Sequence, residues 1–153
     1  MDSQNFLVRR AAYSDLEQLV SFAIDEASEA EKTARSPELI REGVRIGLED
    51  DSVAMYWVLE KEDSEIIGNV SAVKEWSNWN AGYYWWIQSM FLRPEYRGIG
   101  LMDKLIEAVR EAAKKEDAVD IRLYVHNKNE RAVKAYRKSG FLDSDYHIMT
   151  MPI

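Results

Sequence analysis

Three features of the 153-residue sequence predict a mixed α/β fold. Segments with a two-residue apolar period alternate with segments of helical period, in the order β-α-α-β-β-β-α-β-α-β. Three successive strands are joined by short polar turns, which makes them antiparallel. The strand–helix–strand unit from Tyr83 to Val125 calls for a right-handed parallel crossover. The expected architecture is one domain, 1–153, with a central mixed, mostly antiparallel sheet of six to seven strands flanked by four helices.

Each element has a local cause. Phe6 to Arg10 has strand character, and Ser14-Asp15-Leu16-Glu17 has the form of a capping box opening a helix that runs to about Ala30. Leu16, Leu19, Val20 and Ala23 form its apolar face. Ser36-Pro37 is a second helix start, a cap followed by proline at the first helical position. Leu39, Ile40, Val44 and Leu48 carry the apolar face of that helix. Met55 to Glu60 and Ile66 to Lys74 read as a hairpin, and Ser77 to Gly82 turns into the aromatic strand Tyr83 to Leu92. From Gly100 the period becomes helical again, with Leu101, Leu105, Val109 and Ala112 recurring to about Lys115. Asp120 to Val125 is a short strand. Asn129 to Ser139 is a helix stopped by Gly140. Tyr146 to Met151 makes a last strand, with a further short one around Phe141.

Composition narrows the function. Hydrophobic residues at 46% and charged residues at 31% exclude a disordered chain. No apolar run is long enough to span a membrane. The start, MDSQNFLVRR, has an acid at Asp2 and no apolar leader, so no secretory signal is evident. With no cysteine there are no disulfides, thiolate metal sites or Cys nucleophiles, which fits a cytoplasmic protein. No metal site is expected. A net charge of −7 disfavours general nucleic-acid binding, which depends on neutralising phosphates. It would draw in cationic small molecules or basic peptides, or simply keep the protein soluble.

The stretch Phe91 to Met102, FLRPEYRGIGLM, carries the sharpest chemical signal. A strand that ends in a glycine turn and feeds a helix leaves main-chain N–H groups free at the positive end of the helix dipole. Gly98 and Gly100 let an oxygen-rich ligand approach, and Arg97 adds a charge beside it. A diphosphate is the natural occupant. The turn matches neither the three-glycine dinucleotide fingerprint nor a phosphate loop ending in G-K-[ST]. A second motif, Asn129 to Phe141, starts a helix at Asn129 and puts Tyr136 two turns later. Read alone, Tyr136 is an amphipathic core residue.

Together the two motifs resemble the GNAT superfamily of acetyl-CoA-dependent N-acetyltransferases. The family's [Q/R]-x-x-G-x-[G/A] turn is Arg97-Gly98-Ile99-Gly100-Leu101-Met102, with Met102 where Gly or Ala is usual. The N-x-x-A-x-x-x-Y-x-x-x-G-F signature falls on Asn129, Ala132, Tyr136, Gly140 and Phe141. The resemblance implies acetyl-CoA as cofactor and direct transfer to a primary amine of a small molecule or peptide through a ternary complex. It implies that main-chain groups of Met90, Phe91 and Leu92 bond the pantetheine arm, where the fourth strand splays from the fifth. Amides of Arg97 to Met102 would hold the pyrophosphate, Asn129 would contact the cofactor, and Tyr136 would protonate the leaving thiolate. Dimerisation is common in the family, so a homodimer is compatible with it.

Transfer requires a neutral amine, and deprotonating an alkyl ammonium at pH 7 costs roughly 4–5 kcal/mol. Relatives often supply a Glu on the fourth strand; here that position is Gln88, a neutral amide that cannot take the proton. Glu75, Glu26 and His126 are the candidates left open for the base. In the aromatic cluster, Tyr84 and Trp86 face one way and Trp85 and Ile87 the other. Trp76 or Trp79 would wall an aromatic or cationic acceptor pocket, or the whole cluster would serve packing. Two further readings stay open: a non-catalytic acyl-CoA-binding module, and an α/β interaction protein whose glycine turn binds nothing. A buried Met102, turned into the core and leaving its amide free, is the expectation for that position.

Overall fold

The structure, a computed structural model, describes residues 5–31 and 35–153; the leader reading of Met1 to Gln4 falls outside them. It comprises two compact units, Met1–Leu123 and Tyr124–Ile153.

The first unit holds the sheet. Strand β1 (Phe6–Arg10) is followed by a 3-10 turn at Tyr13–Asp15, then helices α1 (Leu16–Glu31) and α2 (Pro37–Glu49). Strands β2 (Met55–Lys61), β3 (Ile66–Ser77) and β4 (Gly82–Leu92) come next. A 3-10 turn at Pro94–Tyr96 leads to α3 (Leu101–Lys115) and β5 (Asp120–Leu123). The strands lie in sequence order; β1 to β4 are antiparallel and β4 pairs with β5 in parallel.

Side-chain alternation sorts the faces. Val58 packs with Leu16, Leu19, Val20 and Val44, so it faces α1 and α2. Asn69 lies opposite Val58, and Phe91 opposite Asn69, on that same face. Phe22 of α1 stacks on Phe91 with ring centroids 5.2 Å apart. Helix α3 crosses all five strands and buries Leu101, Leu105, Ile106, Val109 and Ala113. Among the described residues no helix is long and apolar enough to cross a membrane.

The start of α1 differs from the expected capping box. The chain already turns at Tyr13, Ser14 lies inside the 3-10 turn, and Ala12 at the cap offers no side-chain acceptor. Only the reverse half of the box forms: the Ala12 N–H donates to Asp15 Oδ2 at 2.7 Å. Arg9 holds Asp15 in place by donating to both its oxygens, at 2.8 and 3.1 Å. Burial pushes the Asp15 carboxyl up, but Arg9 and the Ala12 amide outweigh it and hold the carboxyl below its usual range. The stability gained is therefore complete above the unfolded pKa and is lost as pH falls through the lower folded value. Asp15→Ala should cost about 2–3 kcal/mol near pH 7, because Arg9 stays partly solvated and keeps Glu60. Urea unfolding should show that deficit fading below about pH 4. The second start is as expected: Ser36 Oγ accepts from the Leu39 N–H at 3.3 Å, with Pro37 next.

The second unit holds α4 (Glu130–Lys138) and no strand. The expected strand at Tyr146 to Met151, and the shorter one around Phe141, do not form; the described residues have a five-stranded sheet. Alternation gives a segment strand potential, but a strand exists only where a neighbour takes its N–H and C=O groups. Within the Tyr124–Ile153 unit no strand is available to pair, and Met149 and Met151 are 85% and 86% exposed.

Candidate active site

The centre of β4 carries an irregularity. Ser71 pairs with Ser89 and Ala72 with Ile87, so Gln88 is an extra residue, a β-bulge. Its side chain is exposed. Pairing with β5 runs from Tyr84↔Asp120 to Ile87↔Leu123, so the bulge and Ser89 to Leu92 follow the last paired residue. This is the stretch in which Met90, Phe91 and Leu92 were expected to offer main-chain groups.

One of those groups is engaged by α1. Ser89 Oγ donates to Glu26 Oε1 at 3.0 Å, and the Met90 N–H donates to Glu26 Oε2 at 2.8 Å. Burial pushes the Glu26 carboxyl above the usual carboxylate range; the bonds from Ser89 and Met90 oppose it, and Glu29 adds to it. Glu75 is exposed on β3 opposite Tyr84, outside the bulge. His126, in the Tyr124–Ile153 unit, is exposed and its Nδ1 accepts from the Lys128 N–H at 3.1 Å. Of the three carboxylate and imidazole candidates, Glu26 is the one bonded to the bulged strand.

The glycine turn is built for main-chain exposure. Gly98 and Gly100 have φ of +83° and +87°, a left-handed conformation that side chains resist. A Cβ at either position would meet nothing within 4 Å, so both face open space. Helix α3 starts at Leu101 with no side chain capping it. Its first amides have no partner within the helix, and such a start accepts anions. These residues therefore fit a diphosphate. The Arg97 amide is engaged, donating to the Pro94 carbonyl at 3.2 Å. Its guanidinium turns back from the loop: Nε donates to the Leu92 carbonyl at 2.7 Å and Nη2 to both Glu29 oxygens at 3.1 and 3.0 Å. Glu29 supplies the opposite charge that draws it there. Met102 is half-buried rather than sunk in the core; it lies one position past Leu101, on the flank of the buried stripe of α3.

In the second unit, the Asn129 motif has a local geometric explanation. Asn129 caps α4, its Oδ1 accepting from the Ala132 N–H at 3.2 Å. At the other end the Phe141 N–H donates to the Tyr136 carbonyl at 3.0 Å and the Gly140 N–H to the Arg137 carbonyl at 3.1 Å. With Gly140 at φ +107°, this is a Schellman termination, completed by the Tyr136 and Phe141 rings meeting edge to face at 5.8 Å. The Y-x-x-x-G-F spacing thus places the Tyr136 ring. The Schellman geometry has no need of its hydroxyl.

Trp76 and Trp79 lie at the far end of the β3–β4 hairpin from the bulge. Trp79 is at the β3–β4 turn, 87% exposed, and Trp76 meets Tyr83 edge to face with centroids 5.1 Å apart. Tyr83 and Gln88 are five residues apart, about 17 Å along a strand. The chain's own cations already cover several rings: Arg122 lies 3.4 Å above Tyr84, and Lys74 4.9 Å from Trp85.

Comparison with known proteins agrees with the fold and the two motifs. The model of the acetyltransferase (GNAT) family matches residues 16–141. The chain is 34% identical over 68 residues to thialysine N-epsilon-acetyltransferase of Bos taurus; the match spans 44% of this chain and 39% of that protein. A possible acetyltransferase from Clostridium difficile 630 superposes with a TM-score of 0.90 at 27% identity, covering 97% of each chain. An aminoglycoside N-acetyltransferase solved with CoA shares the fold, at 14% identity and TM-score 0.82, with 98% of this chain and 96% of that one covered. With the family model spanning both units and both motifs in their expected elements, the chain belongs to the acetyltransferase (GNAT) family.

Proposed function

We propose that the protein is an N-acetyltransferase that moves the acetyl group of acetyl-CoA to a primary amine of a small molecule or peptide, directly, in a ternary complex. The observation that carries this reading is the uncapped start of α3 behind two left-handed glycines, immediately after the bulged strand. Main-chain groups of Arg97, Gly98, Ile99, Gly100, Leu101 and Met102 cradle the pyrophosphate, with the free amides beginning at Gly98. Met90, Phe91 and Leu92 bond the pantetheine arm, and Asn129 contributes a cofactor contact. Tyr136 is the acid: a phenol near pKa 10 is protonated at pH 7 and can donate to a leaving thiolate whose thiol reference is about 8.5. The family match across 16–141 supports one functional domain, and the net charge of −7 supports a cationic acceptor over nucleic acid. The absence of cysteine supports a cytoplasmic setting. The bovine relative's name supports a side-chain amine of an amino acid as acceptor. A homodimer is compatible with the family.

Gln88 favours a second reading, a non-catalytic acyl-CoA-binding module, because the bulge itself offers no carboxylate. Thiol release from acetyl-CoA separates the two, measured across polyamines, aromatic amines, amino acids including thialysine, and a ribosomal-type N-terminal peptide. The acetyltransferase reading expects turnover with at least one of these. CoA binding without thiol release across the panel would leave the binding module, and no CoA binding would remove both.

A further inference from the structure

Position 88 cannot accept the proton that an ammonium must lose, yet the bulged strand does hold a carboxylate from another element. We propose that Glu26 of α1 is the proton acceptor of the transfer, seated on Ser89 and Met90 until the acyl group arrives. The proposal rests on the acetyltransferase reading above. Each Glu26 oxygen accepts one bond from β4, at 3.0 and 2.8 Å, and a carboxylate has about four lone-pair sites, so capacity for an amine proton remains. Burial also moves this carboxyl up from its usual range toward the operating pH, which suits a general base.

The Met90 amide gives Glu26 a further property. It is the first of the main-chain groups assigned to the cofactor arm, and in this structure it stabilises the charged form of Glu26. When Glu26 yields that amide to the cofactor, its carboxylate loses a donor and becomes more basic. One N–H thus links cofactor arrival to base strength. The charged and titratable groups around Glu26 are few. Glu29 lies one turn on and is bound by Arg97, while Arg93 stands 5.9 Å over Phe22, one turn back. From the sheet the half-buried phenol of Tyr56 faces the same side, and on α2 Arg41 is tied to Glu17 near the far end of α1.

The reaction balances. The ammonium loses two protons: one leaves to solvent by way of Glu26, and the other offsets the proton that sulfur gains from Tyr136. The nitrogen lone pair forms the C–N bond, and the C–S bond breaks with its electron pair going to sulfur. The products are an amide and a free thiol.

Glu26→Gln keeps the shape and an acceptor oxygen while removing the base. With the amine identified by the panel, kcat/KM should fall about 100-fold or more, and the acid limb of its pH profile should disappear. Affinity for acetonyl-CoA, a ketone analogue that cannot transfer its acyl group, should stay within about threefold of wild type. In the wild-type protein the Glu26 side-chain carboxyl carbon, followed by NMR, should titrate at the pKa of that limb and move upward when acetonyl-CoA binds. This arm needs no variant, so a poorly folded Gln protein would not block the test. Activity within about threefold of wild type with the acid limb intact would overturn the proposal, as would a Glu26 titration displaced from the limb. Failure of Glu26 alone would leave wild-type turnover intact. A wild-type protein that binds acetonyl-CoA but acetylates no amine would overturn both the catalytic reading and the role of Glu26.

Discussion

Gly100→Val is expected to weaken CoA binding by about 100- to 1,000-fold in isothermal titration, the equivalent of two lost hydrogen bonds to a charged group. Two effects combine at this position. Valine resists the φ of +87° that Gly100 adopts, which costs about 1–3 kcal/mol of folding stability. Its side chain would also project into the open space in front of the α3 amides, where the diphosphate is proposed to lie. The melting temperature should fall by about 3–10 °C, a loss the fold can bear, so binding can still be measured. Acetyl-pantetheine, which lacks the diphosphate, provides the control. Its affinity should be nearly unchanged, and the variant should bind CoA little better than this fragment. Equal losses for both ligands would point to a general distortion of β4 instead, and unchanged CoA affinity would remove the diphosphate from the turn.

Tyr136→Phe is expected to lower kcat by about 100-fold or more while leaving CoA affinity close to wild type. The Schellman geometry makes this substitution informative. Phenylalanine preserves the ring that meets Phe141 at 5.8 Å and leaves both terminating main-chain bonds in place. Only the hydroxyl is lost. A Tyr136 that serves helix termination would therefore tolerate the change, whereas a proton donor would not. The measurement is single-turnover thiol release, so that chemistry rather than product release sets the rate. An unchanged single-turnover rate would leave Tyr136 as a packing residue and the acid unassigned.

Much of this site was legible in the sequence because its physics is local. Arg97-Gly98-Ile99-Gly100 announces a turn that only glycine makes cheaply, followed at once by helical periodicity, and the structure has α3 starting at Leu101. Asn129 and Gly140 bracket α4 as its cap and its stop, each acting within a few residues. Ser36-Pro37 opens α2 for the same reason. Where an expectation failed, the missing information lay far along the chain. Ser14 yielded to a turn that Asp15 anchors through Arg9 on β1. The segment Tyr146 to Met151 has the alternation of a strand but no neighbour in its own unit to complete a ladder.

The sequence by itself determined the order of the elements as far as α4, the exposed amides of the glycine turn and the family. Each depends on backbone preference and periodicity, which neighbouring residues settle among themselves. The tertiary structure decided where charge goes. It brings Glu26 onto Ser89 and Met90, more than sixty positions away, and draws the Arg97 guanidinium from the loop to Glu29. It also inserts Gln88 as a bulge where β4 passes the end of its pairing with β5. A carboxylate's basicity depends on what buries it and what donates to it, and neither is fixed until helix and sheet have packed together.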